Sequence, residues 1–284
     1  PYAQRFVRCV MLIDFHTHIF PDALAHGAIH SLESGIERAQ GHSVLKPKTN
    51  GTVQELKASM KENGVDISVV MPIATKPSQH KTINAFAKEI TCDEIISFGS
   101  IHPRAEDWKS VLSELAESGF RGIKLHPEFQ SFYIDEPVSA EIVNAARSLG
   151  MLVTFHCGSD LGFKPPFHAT PQRLCRLLEK TEGDNIIAAH LGGFDMWDDV
   201  SRYVAGSPVY MDISMTHGYL APEKFTDIAR RHGADKLLFG SDSPWQSPSG
   251  SLKMLEESNL SEDEKEMIKY KNAERLLKKC VLIS

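Results

Sequence analysis

Eight short apolar runs recur along the chain at a spacing that few folds accommodate. They begin near Leu12, Ile67, Ile95, Gly122, Leu152, Ile186, Val209 and Leu237. The first gap is 55 residues and the other six are 23 to 34 residues, whereas a strand with its crossover helix needs about 30 residues. Helical patterns fill the gaps between the runs. The spacing therefore predicts one α/β domain, a (β/α)₈ TIM-like barrel spanning residues 1–284, rather than an open sheet.

The first gap is longer than one strand–helix unit by about 25 residues. We expect the excess, roughly residues 19–51, to form an inserted loop over the active site, because loops that follow barrel strands lie on the catalytic face. Met11 stands just before the first strand. Residues 1–10 are therefore expected to be an extension outside the core.

Charge and cysteine usage exclude several classes of partner. The formal net charge is −6, without a basic block, so nucleic acid is not an expected partner. No apolar run approaches the length of a transmembrane helix, so we expect no membrane partner. The five cysteines are odd in number and widely spaced, which is typical of a reduced, cytoplasmic protein. A small-molecule substrate is the expected partner, together with the homo-oligomerisation common among barrels.

Ionisable side chains follow four of the predicted strands directly. His16 and His18 end the first strand, His156 the fifth, His190 the sixth and Asp242 the eighth. Because parallel barrel strands end at one rim, these groups should converge, and His16 and His18 should share a side. Imidazoles together with a carboxylate suit Zn²⁺, and Mn²⁺ accepts the same ligand types. The pattern predicts a site for a divalent metal.

Five motifs around these residues point to one family. They are Asp14-Phe15-His16-Thr17-His18, Gly122-Ile123-Lys124-Leu125-His126-Pro127, Thr154-Phe155-His156, Ala189-His190-Leu191-Gly192-Gly193 and Phe239-Gly240-Ser241-Asp242-Ser243-Pro244. Together they resemble the amidohydrolase superfamily, in the amidohydrolase-related branch that includes aminocarboxymuconate-semialdehyde decarboxylase. The resemblance runs from Asp14 to Leu277, which is nearly the whole chain.

The resemblance implies a role for each matching residue. His16, His18 and His156 match metal ligands, and Asp242 matches a carboxylate that binds the metal and handles a proton. His190 matches a residue that is an acid/base group in one-metal members and a ligand of the second metal in two-metal members. We favour one metal, with two as the alternative.

Four further residues are candidates for contact with the substrate. Some two-metal members of the family bridge their metals with a carboxylated lysine, and Lys124 lies at the matching strand. The other interpretations of Lys124 are a partner for a substrate carboxylate and an ordinary salt bridge at the rim. His126 shares a side with Lys124 by strand alternation. His102 is equally a substrate contact or a cap of its loop, and Trp245 is a candidate apolar wall.

Three functions fit these residues. The first is hydrolysis of a small ester, lactone or amide by metal-activated water. The alternative is non-oxidative decarboxylation of a small unsaturated or aromatic acid, and a carboxylate-binding arginine in the insert would favour it; Arg38 is the only arginine there. The second alternative is a metal-binding protein without turnover, against which the candidate bases His190 and Asp242 argue.

Overall fold

The computed structural model describes residues 11–279, so the expectation for residues 1–10 falls outside the described residues. Within this range every predicted strand is present. The strands are β1 (Ile13–Thr17), β2 (Ile67–Val70), β3 (Ile95–Ser97), β4 (Gly122–Leu125), β5 (Leu152–Phe155), β6 (Ile186–Ala188), β7 (Tyr210–Asp212) and β8 (Leu237–Leu238). Six of the eight begin at the predicted residue, and β1 and β7 each begin one residue later. The apolar runs therefore predicted the order of the strands correctly.

All paired strands are parallel, and they form a three-stranded sheet β1-β2-β3 and a five-stranded sheet β4-β5-β6-β7-β8. Single bridges join the two sheets at both edges. Gly99 pairs with Ile123 beside β3 and β4, and Thr17 pairs with Ser243 beside β1 and the segment after β8. Backbone hydrogen bonds run along the second edge, from Phe15 N to Phe239 O and from Asp242 N to His16 O. The eight strands thus follow the order of a TIM barrel.

The helices lie between the strands. They are α1 (Asp22–Gln40), α2 (Val53–Asn63), α3 (His80–Ile90), α4 (Trp108–Glu117), α5 (Pro137–Ser148), α6 (Pro171–Leu178), α7 (Trp197–Tyr203), α8 (Pro222–His232), α9 (Pro248–Glu257), α10 (Glu262–Glu266) and α11 (Asn272–Lys279). Local signals explain several starts. Thr52 caps α2 by accepting a hydrogen bond from the Glu55 amide, Ser261 and Glu264 form a capping box at α10, and Pro222 occupies the first turn of α8. None of the helices between residues 11 and 279 is both long and apolar enough to cross a membrane.

The insert, residues 19–51, was predicted to be a loop, but much of it is helical. Residues 22–40 form α1, the longest helix of the described chain, and only Ala25, Ile29 and Ile36 of it are buried. The helix ends at Gly41, whose φ of 81° suits a glycine after the last turn. An apolar residue at every fourth position from Leu24 is the helical signal that the prediction missed.

The core has two parts. The larger cluster of buried apolar side chains fills the space between the strands and the surrounding helices. The smaller cluster joins Phe15 of β1, Phe98 after β3 and Leu238 of β8 to Leu276 and Leu277 of α11. Packing α11 against strand side chains anchors the C-terminal helix to the barrel and leaves the carboxyl ends of the strands available for a site.

Candidate metal centre

Three predicted ligands converge on one point at the strand ends. His16 Nε2 lies 3.1 Å from His18 Nε2, and Asp242 Oδ1 lies 3.3 Å from each of these nitrogens. The structure therefore places His16, His18 and Asp242 in a nearly equilateral triangle of ligand atoms. Ligands about 2.0–2.1 Å from a tetrahedral Zn²⁺ stand about 3.3 Å apart, so the triangle matches the spacing that such an ion requires.

Hydrogen bonds on the far side of each ring assign the protons of His16 and His18. His16 Nδ1 donates to Asp212 Oδ2 at 2.9 Å, and His18 Nδ1 donates to the Met71 carbonyl at 2.7 Å. The neutral form of an imidazole carries a single N–H, so in that form each Nε2 carries only a lone pair. Burial holds the pKa of His16 well below its usual 6.5, so His16 stays neutral. Two lone pairs face each other across 3.1 Å, an arrangement that a cation relieves.

The other two histidines repeat this arrangement. His156 Nε2 donates to the Ser159 carbonyl at 3.0 Å, and His190 Nδ1 donates to Ser214 Oγ at 2.9 Å. The remaining nitrogens, His156 Nδ1 and His190 Nε2, lie 3.0 Å apart. Burial lowers the pKa of His156 to about 3 and that of His190 well below 6.5, so neither ring carries a second proton. A second lone-pair contact therefore lies beside the first.

His156 is thus placed differently from the other predicted ligands. The triangle of ligand atoms is made by His16, His18 and Asp242, and His156 pairs with His190 instead. The role of His156 as a third ligand of the same ion stays a prediction. The pairing with His190 is the arrangement expected if a second cation binds.

Asp212 is the member of the centre that the sequence analysis missed. Its Oδ1 accepts from the His190 amide at 3.2 Å and from the amide and hydroxyl of Ser214, while its Oδ2 holds His16. It lies at the end of β7, so the rule that found His156 and Asp242 applies to it as well. Carboxylates that orient metal-binding histidines fix both ring position and tautomer.

Lys124 lies beneath the cavity rather than on its wall. Its side chain is 1% exposed, its Nζ stands 3.2 Å from His16 Nε2, and burial lowers its pKa. Among the described residues it is not one that lines the cavity, and its direct contact with a substrate carboxylate stays a prediction. Its position beside His16 keeps the carboxylated-lysine interpretation as a prediction.

His102 is also absent from the described cavity lining. Its Nδ1 accepts a hydrogen bond from the Arg104 amide at 3.1 Å, which is the loop-cap interpretation of this residue. The substrate contact of His102 stays a prediction, whereas Trp245 and His126 do line the cavity.

His126 is held in place by a second carboxylate that the sequence analysis missed. Its Nε2 lies 3.2 Å from Asp160 Oδ2, and its ring stacks on that of His156 with centroids 4.2 Å apart. Asp160 Oδ1 in turn accepts from the Gly162 amide at 2.7 Å. Asp160 belongs to the loop after β5 rather than to a strand end, so no spacing signal identified it.

A cavity of about 850 Å³ opens above these groups. Its polar floor is formed by His18, His126, His156, Asp160, His190 and Asp242. The remaining wall is largely apolar and comes from α1, α3 and the loop 158–170. Such a concave, mostly apolar space with a few convergent polar groups is typical of a small-molecule site.

Comparisons with known proteins agree with this fold. No curated protein matches the sequence, but 163 solved chains match its fold. An uncharacterised TIM-barrel protein from Bordetella bronchiseptica superimposes with a TM-score of 0.73 at 17% identity, covering 96% of this chain and 100% of the other.

Two further neighbours have named activities. The 5-carboxyvanillate decarboxylase of Sphingomonas paucimobilis gives a TM-score of 0.69 at 14% identity, covering 95% and 99% of the two chains. A probable 2-pyrone-4,6-dicarboxylic acid hydrolase of Acinetobacter baumannii gives 0.64 at 17% identity, covering 94% and 99%. The family model described as amidohydrolase matches residues 13–279. The chain belongs to the amidohydrolase family and is an enzyme of hydrolase or carboxy-lyase type.

Proposed function

We propose that this chain is a metal-dependent hydrolase of an ester, lactone or amide. The observation that carries the proposal is the convergence of four histidine rings and one carboxylate at the strand ends, where His18, His156, His190 and Asp242 line a substrate-sized cavity and His16 lies directly behind His18 and Asp242. His16, His18 and Asp242 would hold the ion, with Zn²⁺ as the proposed metal and Mn²⁺ as an acceptable substitute. A divalent ion bound there supplies a Lewis acid that lowers the pKa of water and polarises a carbonyl.

Asp242 moves the proton in this proposal. Burial raises the pKa of its carboxyl above the ordinary value, so the group accepts a proton more readily than an exposed carboxylate does. As the water oxygen attacks the substrate carbonyl carbon, Asp242 takes the water proton. It then returns that proton to the departing oxygen or nitrogen, which restores the carboxylate.

The second lone-pair contact keeps a second ion as the alternative. One ion at the triangle of His16, His18 and Asp242 is the proposal, and the His156–His190 pair is the place where a second would bind. Metal analysis of purified protein distinguishes one equivalent per chain from two.

Decarboxylation is the second candidate, and Arg38 is the observation that favours it. Arg38 is the only arginine or lysine among the described residues that line the cavity. An arginine in an apolar site is suited to hold a carboxylate. In this reaction Asp242 first takes a proton from solvent and then delivers it to the substrate carbon as the bond to the carboxylate breaks and carbon dioxide leaves.

The solved neighbours include both reaction types, so the test must separate them chemically. The metal-loaded protein is incubated with aryl esters, lactones and unsaturated or aromatic acids. Carbon dioxide release is measured in parallel with acid production at constant pH. Acid production without carbon dioxide supports hydrolysis, and carbon dioxide release supports decarboxylation. Both activities should fall at least 100-fold in Asp242→Asn, and neither activity in the wild type would contradict the proposal.

A further inference from the structure

One face of α1 lacks the packing partner that an amphipathic helix requires. Leu24, Ala28, Leu32 and Ile36 follow one another at intervals of four residues and form an apolar stripe. All four line the cavity, and only Ile36 among them is buried. Leu24 exposes 62% of its surface. The stripe therefore faces the cavity rather than a core, which indicates that a bound molecule completes its packing.

The stripe is long. Leu24 and Arg38 both line the cavity, and 14 residues separate them along α1. At 1.5 Å per helical residue, the cavity extends about 21 Å beside the helix. Beyond Arg38, a hydrogen bond of 2.9 Å from Gln40 Nε2 to the Leu161 carbonyl ties α1 to the loop after β5.

Helix α3 supplies more of the same apolar wall. Ile83 and Phe86 line the cavity from this helix. The histidines and carboxylates of the cavity come instead from the strand ends and the loop after β5. The cavity is therefore divided into a reactive floor and an apolar chamber, which we define by Leu24, Ala28, Leu32, Ile83 and Phe86.

The size of the cavity argues against a single-ring acid that lacks an apolar extension. A volume of about 850 Å³ lies in the upper part of the range of roughly 300–1,000 Å³ that holds drug-sized ligands. A one-ring acid at the floor would leave the apolar chamber filled with water, and burying apolar ligand surface there is favourable.

We propose that the substrate carries a bulky apolar body, of at least one ring with a chain of several carbons, which lies in the apolar chamber between α1 and α3. Its reactive carbonyl or carboxylate then sits at the histidine floor. The identity of the reacting group rests on the proposed function, but occupation of the chamber does not.

The test uses acids that bind without reacting. Dissociation constants of benzoate and of 4-alkylbenzoates from methyl to pentyl are measured by calorimetry with the metal-loaded protein. Each buried methylene is worth about fourfold in affinity. We expect affinity to rise with each added carbon, by at least tenfold from 4-methylbenzoate to 4-pentylbenzoate. Equal or falling affinity along the series would overturn the proposal.

Matched variants locate the gain in the chamber. Ala28→Phe places a ring in the chamber and should remove most of the gain from the alkyl chain. His30→Phe adds the same side chain to an exposed position of α1 that does not line the cavity, and should keep the full gain. Leu32→Ala provides a second variant if Ala28→Phe fails to fold, and should weaken 4-pentylbenzoate more than 4-methylbenzoate.

The outcomes separate this inference from the proposed function. If affinity rises along the 4-alkylbenzoate series but the protein neither hydrolyses nor decarboxylates any tested compound, the apolar chamber is supported and the proposed reaction is contradicted. If the protein is catalytically active but its affinity does not change along the series, the proposed function is supported and the apolar chamber is contradicted. An unchanged alkyl series in a folded Ala28→Phe variant would also overturn the placement of the apolar body.

Discussion

Asp212→Asn is the perturbation that tests the organisation of the centre most sharply. The Asp212 carboxylate accepts the Nδ1–H of His16 on Oδ2, and on Oδ1 it accepts the His190 amide together with the amide and hydroxyl of Ser214. Asparagine preserves the shape of this side chain but replaces one acceptor oxygen with a donor. An amide oxygen at the Oδ1 position keeps three of the four bonds, so the NH₂ group turns towards His16.

The consequence is a change of tautomer. His16 Nδ1 must then accept a hydrogen bond, so the ring proton moves to Nε2. That nitrogen stands 3.1 Å from His18 Nε2 and 3.3 Å from Asp242 Oδ1, where a metal ligand needs its lone pair. Loss of a carboxylate behind a metal-binding histidine typically weakens metal binding 10- to 100-fold, which corresponds to about 1.4–2.7 kcal/mol.

The assay is competition for Zn²⁺ between the metal-free protein and a chromophoric chelator. Asp135→Asn is the matched control, since Asp135 pairs with Arg173 and Arg176 rather than with a histidine. The control should keep the wild-type dissociation constant. A folded Asp212→Asn protein that binds Zn²⁺ as tightly as the wild type would refute the tautomer argument.

Three other perturbations have definite expected outcomes. His190→Asn should retain the metal held by His16, His18 and Asp242 but lose at least 100-fold in turnover; loss of all metal by elemental analysis would make His190 an indispensable ligand. Burial lowers the pKa of His232 from 6.5 to about 4, so the unfolded chain takes up a proton that the folded chain does not. The protein should therefore lose about 3 kcal/mol of stability through His232 as the pH falls from 6.5 to 4. In His232→Gln, the midpoint of urea denaturation should depend less on pH over that range. Gly158→Ala should destabilise the fold by several kcal/mol in thermal melts, because φ is +94° and the new Cβ would clash with the Phe194 backbone.

The strand ends were predictable because two independent signals coincide there. A buried apolar run marks a strand, and an ionisable residue directly after it is costly unless it is paired or binds an ion. His16, His156 and Asp242 carry both signals. Asp212 carries them as well, as the last residue of β7, so the same rule would have identified it.

Other features depend on contacts that no sequence spacing encodes. Asp160 reaches His126 from a loop whose path is set by tertiary packing, through bonds such as that from the Ser159 amide to the Phe194 carbonyl. The same holds for Lys124, whose strand position is evident while its burial beside His16 is not. In α1, glycines and polar residues interrupt the apolar stripe, so the sequence did not identify it as a helix. The structure shows that the stripe lines the cavity instead of packing in the core.

The most direct measurement is anomalous diffraction at the zinc edge from crystals of the protein purified without added chelator. The account predicts a peak about 2.0–2.2 Å from His16 Nε2, His18 Nε2 and an oxygen of Asp242. A folded protein whose crystals, even after soaking in Zn²⁺, show no peak in contact with these three groups would contradict it.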